Sequence, residues 1–250
     1  MKRSAIIFGL ILLMTVAASA GERLLLWRVV QACVATHALT GLPFPCLEVQ
    51  EPKGVASGYA VLRAPLEESH IIVSPTVRMS GIEADELRAA NTPEYFADAW
   101  AARHYALDGL RRRPDRNDLA VAVNSRFGRS QDQLHLHVDC IRRDVKRSIS
   151  AQMGHIRVGS WTRLSVLPRA PRYFASALAT PTLAGVNVFR LVQAGLAIDP
   201  EDMGEVTIVV VGTDIETKPG FVVLARQRIP DSRDEAHGEA LMDHSCSAFR

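Results

Sequence analysis

The sequence predicts an α+β protein in which helices flank an antiparallel β-sheet. Its 250 residues are 48% hydrophobic, enough to form one large domain or two small ones. Segments with helical spacing of apolar residues are interspersed with short β-branched segments, without the regular βαβ alternation of parallel sheets. The nearly balanced charge, a net +2, predicts no nucleic-acid partner.

Helical periodicity predicts four helices. The first is followed by a Gly- and Pro-rich segment, 41–45, that breaks it. The second opens with Thr92 as N-cap and Pro93, and carries Tyr95 and Trp100 on its buried face. The predicted helices cover 22–34, 92–110, 148–160 and 172–179.

Short β-branched segments bounded by Gly, Pro and Ser predict six strands. The first two form a hairpin, and the next two lie side by side in the centre of the sheet. The last two form a second hairpin that turns at Pro219 and Gly220. The predicted strands cover 58–63, 70–74, 119–124, 133–140, 206–211 and 221–226.

Residues 1–21 are predicted to be a signal peptide or a membrane anchor. Two basic residues precede an uncharged apolar run over 5–20, which ends in the small residues 18–20. As a helix this run spans about 24 Å, less than the ~30 Å hydrocarbon core, which favours a cleaved signal. Apolar residues resume at 24–27, so an uncleaved anchor is an equal alternative. Either one predicts export, with 22–250 as one domain.

Four cysteines, an even number, fit a protein that matures in an oxidising compartment. A Cys33–Cys46 bond would close a short loop, and a Cys140–Cys246 bond would tie the C-terminal tail to the strand 133–140. Three pairings exist, and the residues alone do not choose among them. No Cys-x-x-Cys spacing occurs, which disfavours a thioredoxin-like or zinc-ribbon protein.

The segment 130–140, SQDQLHLHVDC, carries the candidate chemistry. In a strand, Gln133, His135, His137 and Asp139 share one face, while apolar residues take the other. Three interpretations are open. The histidines are solvated on a half-buried strand, they bind zinc or copper with Asp139 and a distant ligand, or one imidazole attacks phosphorus.

The residues before this strand favour the nucleophile. Asn124 ends the preceding strand, Gly128 permits a tight loop, and Arg129 and Ser130 follow it. Amide, guanidinium and hydroxyl donors are thus predicted to surround an anion that lies over His135. A phosphate fits this arrangement, whereas a metal site needs no such set of three donors.

The strand and its preceding loop resemble the histidine triad superfamily of nucleotide hydrolases and transferases, whose motif is His-φ-His-φ-His with φ apolar. The matching residues are QLHLHV at 133–138. More closely, the chain is similar to the bacterial CDP-diacylglycerol pyrophosphatase family. That similarity covers the N-terminal apolar segment, the first two cysteines, VSPTVRMSGIE (73–83), AVNSRFGRSQDQLHLHVDC (122–140) and DHSCSAFR (243–250).

The resemblance implies a role for each residue of the motif. His135, the middle position, is the nucleophile, and His137 binds the transferring phosphate or the leaving oxygen. Gln133 stands where the triad has its first histidine, and an amide orients a neighbour but exchanges no proton at neutral pH. The expected phosphate ligands are Asn124, Gly128, Arg129, Ser130 and Arg78, with a plain surface charge as the alternative for Arg129 and a salt bridge as the alternative for Arg78.

The activity that the resemblance implies is hydrolysis of CDP-diacylglycerol to CMP and phosphatidate, in phospholipid metabolism. It proceeds through a cytidylyl-histidine intermediate, with no metal and no other cofactor. The expected partners are the lipid substrate, the membrane and a second copy of the chain. The expected location is the bacterial inner membrane with the catalytic domain on the periplasmic side, or the periplasm after cleavage. A nucleotidyltransferase using the same histidine and a periplasmic metal-binding protein are the alternatives.

Overall fold

A single antiparallel sheet forms the centre of the structure, a computed structural model that describes residues 22–65, 67–165, 167 and 172–250. Its strands are β1 (Glu48–Gln50), β2 (Tyr59–Arg63), β3 (Ile71–Pro75), β4 (Leu119–Val123), β5 (Leu136–Ile141), β6 (Thr162–Arg163), β7 (Phe174–Leu178), β8 (Val206–Ile215), β9 (Lys218–Gln227) and β10 (Met242–Asp243). They lie in the order β1-β2-β3-β5-β4-β8-β9-β7-β6, with β10 paired to β5. This arrangement confirms the predicted α+β class and its antiparallel sheet.

Helices accompany the sheet on both faces. Those of the described residues are α1 (Leu25–Thr40), α2 (Tyr95–Ala102), α3 (Arg143–Gln152) and α4 (Val188–Gly195). The central strand β4 shows how the layers are arranged, because Val121 and Val123 face a large core under α2 and α4 while Ala120 and Ala122 face a second core under α3. Burial on both faces explains why the central strands are continuous apolar runs.

Several sequence predictions are confirmed. β2 and β3 form the first hairpin, β8 and β9 form the second, and β4 lies beside β5 in the middle of the sheet. Tyr95 and Trp100 are buried on α2, as their spacing predicted. The pairing of β4 with β5 matters most for the site, because it brings Asn124 close to the histidine strand.

The prediction of a helix over 172–179 is wrong, since this segment contains strand β7. β7 pairs with β9 from Phe174 opposite Ala225 to Leu178 opposite Phe221. The hydrogen bonds and side-chain packing of this pairing outweigh the helix propensity of the alanines, a tertiary effect that local sequence does not encode.

Other boundaries also differ from the predictions. α1 continues to Thr40, where Gly41 supplies a left-handed C-cap at φ 74°. α3 begins earlier and ends at Gln152, and α2 begins at Tyr95 and gives way to a 3-10 helix at Arg103. The second hairpin turns at Glu216 and Thr217, so Pro219 and Gly220 lie within β9.

Two disulfides settle the pairing that the sequence left open. Cys33 bonds to Cys46, and Cys140 bonds to Cys246. In the chain-entropy model these bonds, which span 13 and 106 residues, stabilise the fold by about 3 and about 5 kcal/mol. The first holds α1 to the segment that leads into β1, and the second holds the C-terminal tail to β5.

The predicted signal peptide or anchor, residues 1–21, lies outside the described residues. Within the described part of the chain, none of the helices combines the length and the apolarity needed to cross a lipid bilayer. The two disulfides are typical of proteins that mature in an oxidising compartment such as the periplasm.

Candidate active site

Strand β5 separates an apolar face from a polar one, as the alternation predicted. Leu136, Val138 and Cys140 belong to the large core. His137 and Asp139 therefore point to the opposite face, and His135 precedes the strand on the same side. All three polar side chains are buried, so they make their contacts within the protein.

His135 is held in one tautomer by the backbone before it. Its Nδ1 lies 2.7 Å from the carbonyl oxygen of Gln133, so Nδ1 carries the hydrogen and Nε2 keeps its lone pair. Burial lowers the pKa of His135 and favours the neutral ring. His135 also lines a cavity of 380 Å³, so the site holds a neutral imidazole with an available lone pair.

His137 is surrounded by polar partners on both ring nitrogens. Its Nδ1 lies 2.9 Å from His70 Nε2 and 3.0 Å from a carboxylate oxygen of Glu239. Its Nε2 lies 3.4 Å from Asn124 Nδ2, and the Asn124 amide is oriented by two backbone N–H groups that donate to its oxygen. Burial, together with the charges of neighbouring histidines, lowers the pKa of His137 well below its usual value.

Two further histidines, His70 and His244, complete the cluster. His70, only 4% exposed, is hydrogen-bonded to Glu67 through Nδ1 and stacks on His244 with ring centroids 4.1 Å apart. His244 Nδ1 lies 3.1 Å from the buried carboxylate of Asp139. Burial disfavours charge on His244, but the hydrogen bond to Asp139 and its negative charge outweigh this and raise the pKa.

The Gln133 side chain has a structural role, because it bonds to the backbone of the segment after β3. Its amide nitrogen donates to the carbonyl oxygens of Pro75 and Val77, at 3.1 and 2.9 Å, and its oxygen accepts from the backbone N–H of Met79 at 3.1 Å. The side chain is fully buried. The Gln133 side chain therefore holds the segment after β3 next to the histidine strand, while the Gln133 backbone carbonyl orients His135.

The loop between β4 and β5 places the predicted phosphate ligands at different distances from the cavity. Asn124 and Ser130 line it. Gly128 is outside the lining, and a Cβ added to it would stand 2.1 Å from the ring of His237. Arg129 has its guanidinium bound to Glu83 by two contacts of 2.6 Å, and Arg78 is exposed and outside the lining.

The donor atoms that converge as they would around a metal ion match the sequence-based set only at His137. One nitrogen each of His70 and His137 and one oxygen of Glu239 lie within 4.8 Å of one another, as do donor atoms of Glu67, His70 and His244. The sequence-based set was His135, His137 and Asp139. Asp139 is instead grouped with Cys140 and Cys246, whose sulfurs are joined in a disulfide.

Sequence reasoning did not place His70, His244, Glu67 or Glu239 in the site, because their positions along the chain lie far from the motif. The sequence contained an indication for two of these residues, His70 and His244. His70 directly precedes β3, which becomes the neighbour of β5, and His244 lies two residues before a cysteine that bonds to the residue after Asp139. Only the strand pairing and the disulfide pairing, both unknown from the sequence, turn these signals into contacts.

Comparison with known proteins assigns this chain to a family. The sequence model of the CDP-diacylglycerol pyrophosphatase family matches residues 21–250. A CDP-diacylglycerol pyrophosphatase of Yersinia pestis is 31% identical over 227 residues, 90% of this chain and 84% of the relative. A Mycobacterium leprae (strain TN) protein named "Probable CDP-diacylglycerol pyrophosphatase" is 29% identical over 230 residues, 92% and 82% of the two chains. The chain therefore belongs to the CDP-diacylglycerol pyrophosphatase family.

Proposed function

We propose that this protein hydrolyses the diphosphate of CDP-diacylglycerol to CMP and phosphatidate, with His135 as the nucleophile and histidine triad-like chemistry. The observation that carries the proposal is the state of His135. Its Nδ1 hydrogen is held by the Gln133 carbonyl, which leaves the Nε2 lone pair of a cavity-lining side chain for attack. Membership of the family supports the choice of substrate.

In the first step, Nε2 of His135 bonds to the phosphorus that carries cytidine, and the bond from that phosphorus to the bridging oxygen breaks. The electron pair leaves with phosphatidate, a phosphate monoester that is a stable anion near neutral pH. Because this leaving group needs no proton, a strong general acid is dispensable. The Gln133 side chain, which exchanges no proton, is compatible with that requirement.

In the second step, a water oxygen bonds to the same phosphorus, and the P–N bond breaks with its electron pair returning to Nε2. The water gives up a proton as CMP leaves. Glu239 and Glu67 line the cavity and supply carboxylates that can accept this proton, and Glu239 contacts His137 directly. His137 and His70 connect Glu239 to Glu67, because His137 is hydrogen-bonded to His70 and His70 is hydrogen-bonded to Glu67.

The donors for the diphosphate come from the loop between β4 and β5 and from the sheet. The Asn124 amide and the Ser130 hydroxyl line the cavity. Arg63 also borders it at the end of β2, but its guanidinium is bound to the Tyr105 carbonyl and the Asp108 carboxylate. The Arg129 guanidinium is paired with Glu83, so it acts on a bound phosphate only through long-range electrostatics and not by direct contact.

The experiment compares the wild type, His135→Ala and His104→Ala on CDP-diacylglycerol in detergent micelles made with ¹⁸O-labelled water. His104 is an exposed histidine outside the cavity lining and serves as the matched control. We expect His135→Ala to lower kcat about 10³-fold or more and His104→Ala to leave it unchanged. We also expect ¹⁸O in CMP, because water attacks the cytidylyl phosphorus.

Label found in phosphatidate would contradict the proposed mechanism. A neutral denaturing quench followed by intact-protein mass spectrometry checks for a cytidylyl adduct that the His135→Ala variant lacks. Product carrying cytidylyl on an added phosphate or alcohol would favour the transferase instead. Stoichiometric zinc or copper in the purified protein, with no turnover, would favour a metal-binding protein that uses the convergent His70, His137 and Glu239.

A further inference from the structure

The cavity beside His135 has two chemically different sides. On one side lie His135, His137, Asn124 and Ser130, which offer polar atoms. On the other side lie apolar side chains of α1, β2 and β3. These apolar lining residues are Leu25, Leu26, Val29, Leu62 and Ile72.

The floor of the apolar side continues directly from the histidine strand. Leu62 of β2 is the cross-strand partner of Ile72 in β3, and Ile72 is the cross-strand partner of His137 in β5. Directly opposed residues of neighbouring strands point to the same face. The apolar floor therefore begins one strand away from the site that we assign to the reacting phosphate.

The wall of the apolar side is the first turn of α1, which is fixed to the loop before the histidine strand. Arg23 donates twice to the carboxylate of Asp132, both at 2.7 Å, and the backbone N–H of Leu26 donates to Gln131 at 2.9 Å. The backbone N–H of Asp132 donates to the Arg23 carbonyl at 2.7 Å. These contacts hold the wall at a set position relative to Ser130.

The wall also carries an apolar side chain that the fold itself leaves largely uncovered. Leu26 is buried to 8% exposure against β2, but Leu25, next to it on the cavity rim, is 57% exposed. A large apolar group at the mouth of a polar site favours a ligand that has both a phosphate and an apolar part.

We propose that this wall and floor, formed by Leu25, Leu26, Val29, Leu62 and Ile72, bind the first acyl carbons of the diacylglycerol group. The inference rests on the proposed function, and it assigns the two ends of the substrate. Cytidine lies on the polar side of His135, and the departing phosphatidate lies along α1. A cavity of 380 Å³ is at the lower end of the range for ligand sites, so the remaining acyl carbons stay in the lipid phase.

The test measures kcat/KM of Leu25→Asp on two substrates, CDP-diacylglycerol in mixed micelles and water-soluble CDP-glycerol, which lacks the acyl chains. We expect the lipid reaction to fall about tenfold or more and the CDP-glycerol reaction to change less than about twofold. Leu39→Asp is the matched control. Leu39 is 85% exposed on the same helix, outside the cavity lining, and its variant should match the wild type on both substrates.

An equal fall on both substrates, or no fall on either, would overturn the assignment of the apolar side. A second measurement separates this outcome from a failure of the proposed reaction. Titration calorimetry with short-chain dioctanoyl phosphatidate needs no turnover, and we expect weaker binding to Leu25→Asp than to Leu39→Asp. If neither substrate is hydrolysed by the wild type, the proposed function fails, whereas equal phosphatidate binding by both variants overturns the subsite.

Discussion

The histidines of the site differ in what holds their ring nitrogens. His135 has a backbone carbonyl on Nδ1, which fixes its tautomer without adding a charge. His137 has His70 and Glu239 on Nδ1, so its proton is shared within a buried polar network. His244 has the Asp139 carboxylate and so favours the charged form. Burial therefore favours the neutral form of His135 and His137, whereas His244 favours the charged form.

At the scale of one residue, the pH dependence of kcat/KM reports the state of His135. The nucleophile is the neutral ring, and burial lowers its pKa from 6.5. Activity should therefore persist as the pH falls through 6.5 and should decline only below it. The measurement is kcat/KM on a soluble substrate between about pH 4.5 and pH 8.

Circular dichroism over the same pH range is the control, because it separates titration of the site from unfolding. An acid limb centred above pH 6.5, with the fold intact, would show that His135 is stabilised as a cation. That result would remove the basis for a neutral nucleophile.

At the scale of one element, the loop between β4 and β5 depends on close packing around Gly128. The hydroxyl of Ser125 accepts hydrogen bonds from the N–H groups of Phe127 and Gly128, both at 3.1 Å. A Cβ on Gly128 would stand 2.1 Å from the His237 ring and 2.9 Å from the Glu235 carbonyl oxygen. The turn can place Asn124 and Ser130 at the cavity only if residue 128 has no side chain that would clash with His237 and Glu235.

Gly128→Ala should therefore lower the free energy of unfolding by about 1–3 kcal/mol, the usual cost of overpacking. Urea denaturation measures this cost. Gly154→Ala is the matched control, since a Cβ there meets nothing within 4 Å. Part of the cost should disappear in a His237→Ala background, because that change removes one of the two clashing groups. Equal stabilities of the Gly128 and Gly154 variants would contradict the packing described above.

At the scale of the whole molecule, the two disulfides join chain segments that carry the site to the sheet. Cys33–Cys46 secures α1, which forms the apolar wall of the cavity. Cys140–Cys246 secures the tail that carries His244, and the Ser69 hydroxyl adds a hydrogen bond to the His244 carbonyl at 2.9 Å. The arrangement of the site therefore depends on oxidation of the chain.

Protein purified from an oxidising compartment should accordingly contain no free thiol. Thiol titration in denaturant should detect none of its 4 cysteines, and all 4 after reduction. Reduction should also lower the free energy of unfolding, because both closed loops are released. Detection of two thiols in the native, active protein would show that one of the bonds is not needed.

Much of the architecture could be predicted from local patterns. All six predicted strands are present, three of them with both ends within one residue of the prediction, and alternation separated the polar and apolar faces of β5. The helix over 172–179 was wrong because an alanine-rich segment has a helical propensity that pairing with β9 overrides. Local patterns contain no information about such pairing.

The sequence by itself determined the histidine strand, the loop before it and the family to which they belong. These features are encoded in neighbouring residues, whose alternation and turn chemistry act over a few positions. Only the tertiary structure decided that Gln133 bonds to the backbone, that Arg129 pairs with Glu83, and that His70 joins the site. Such contacts depend on which strands pair and which cysteines bond, and both are set by the packing of the whole chain rather than by any short segment.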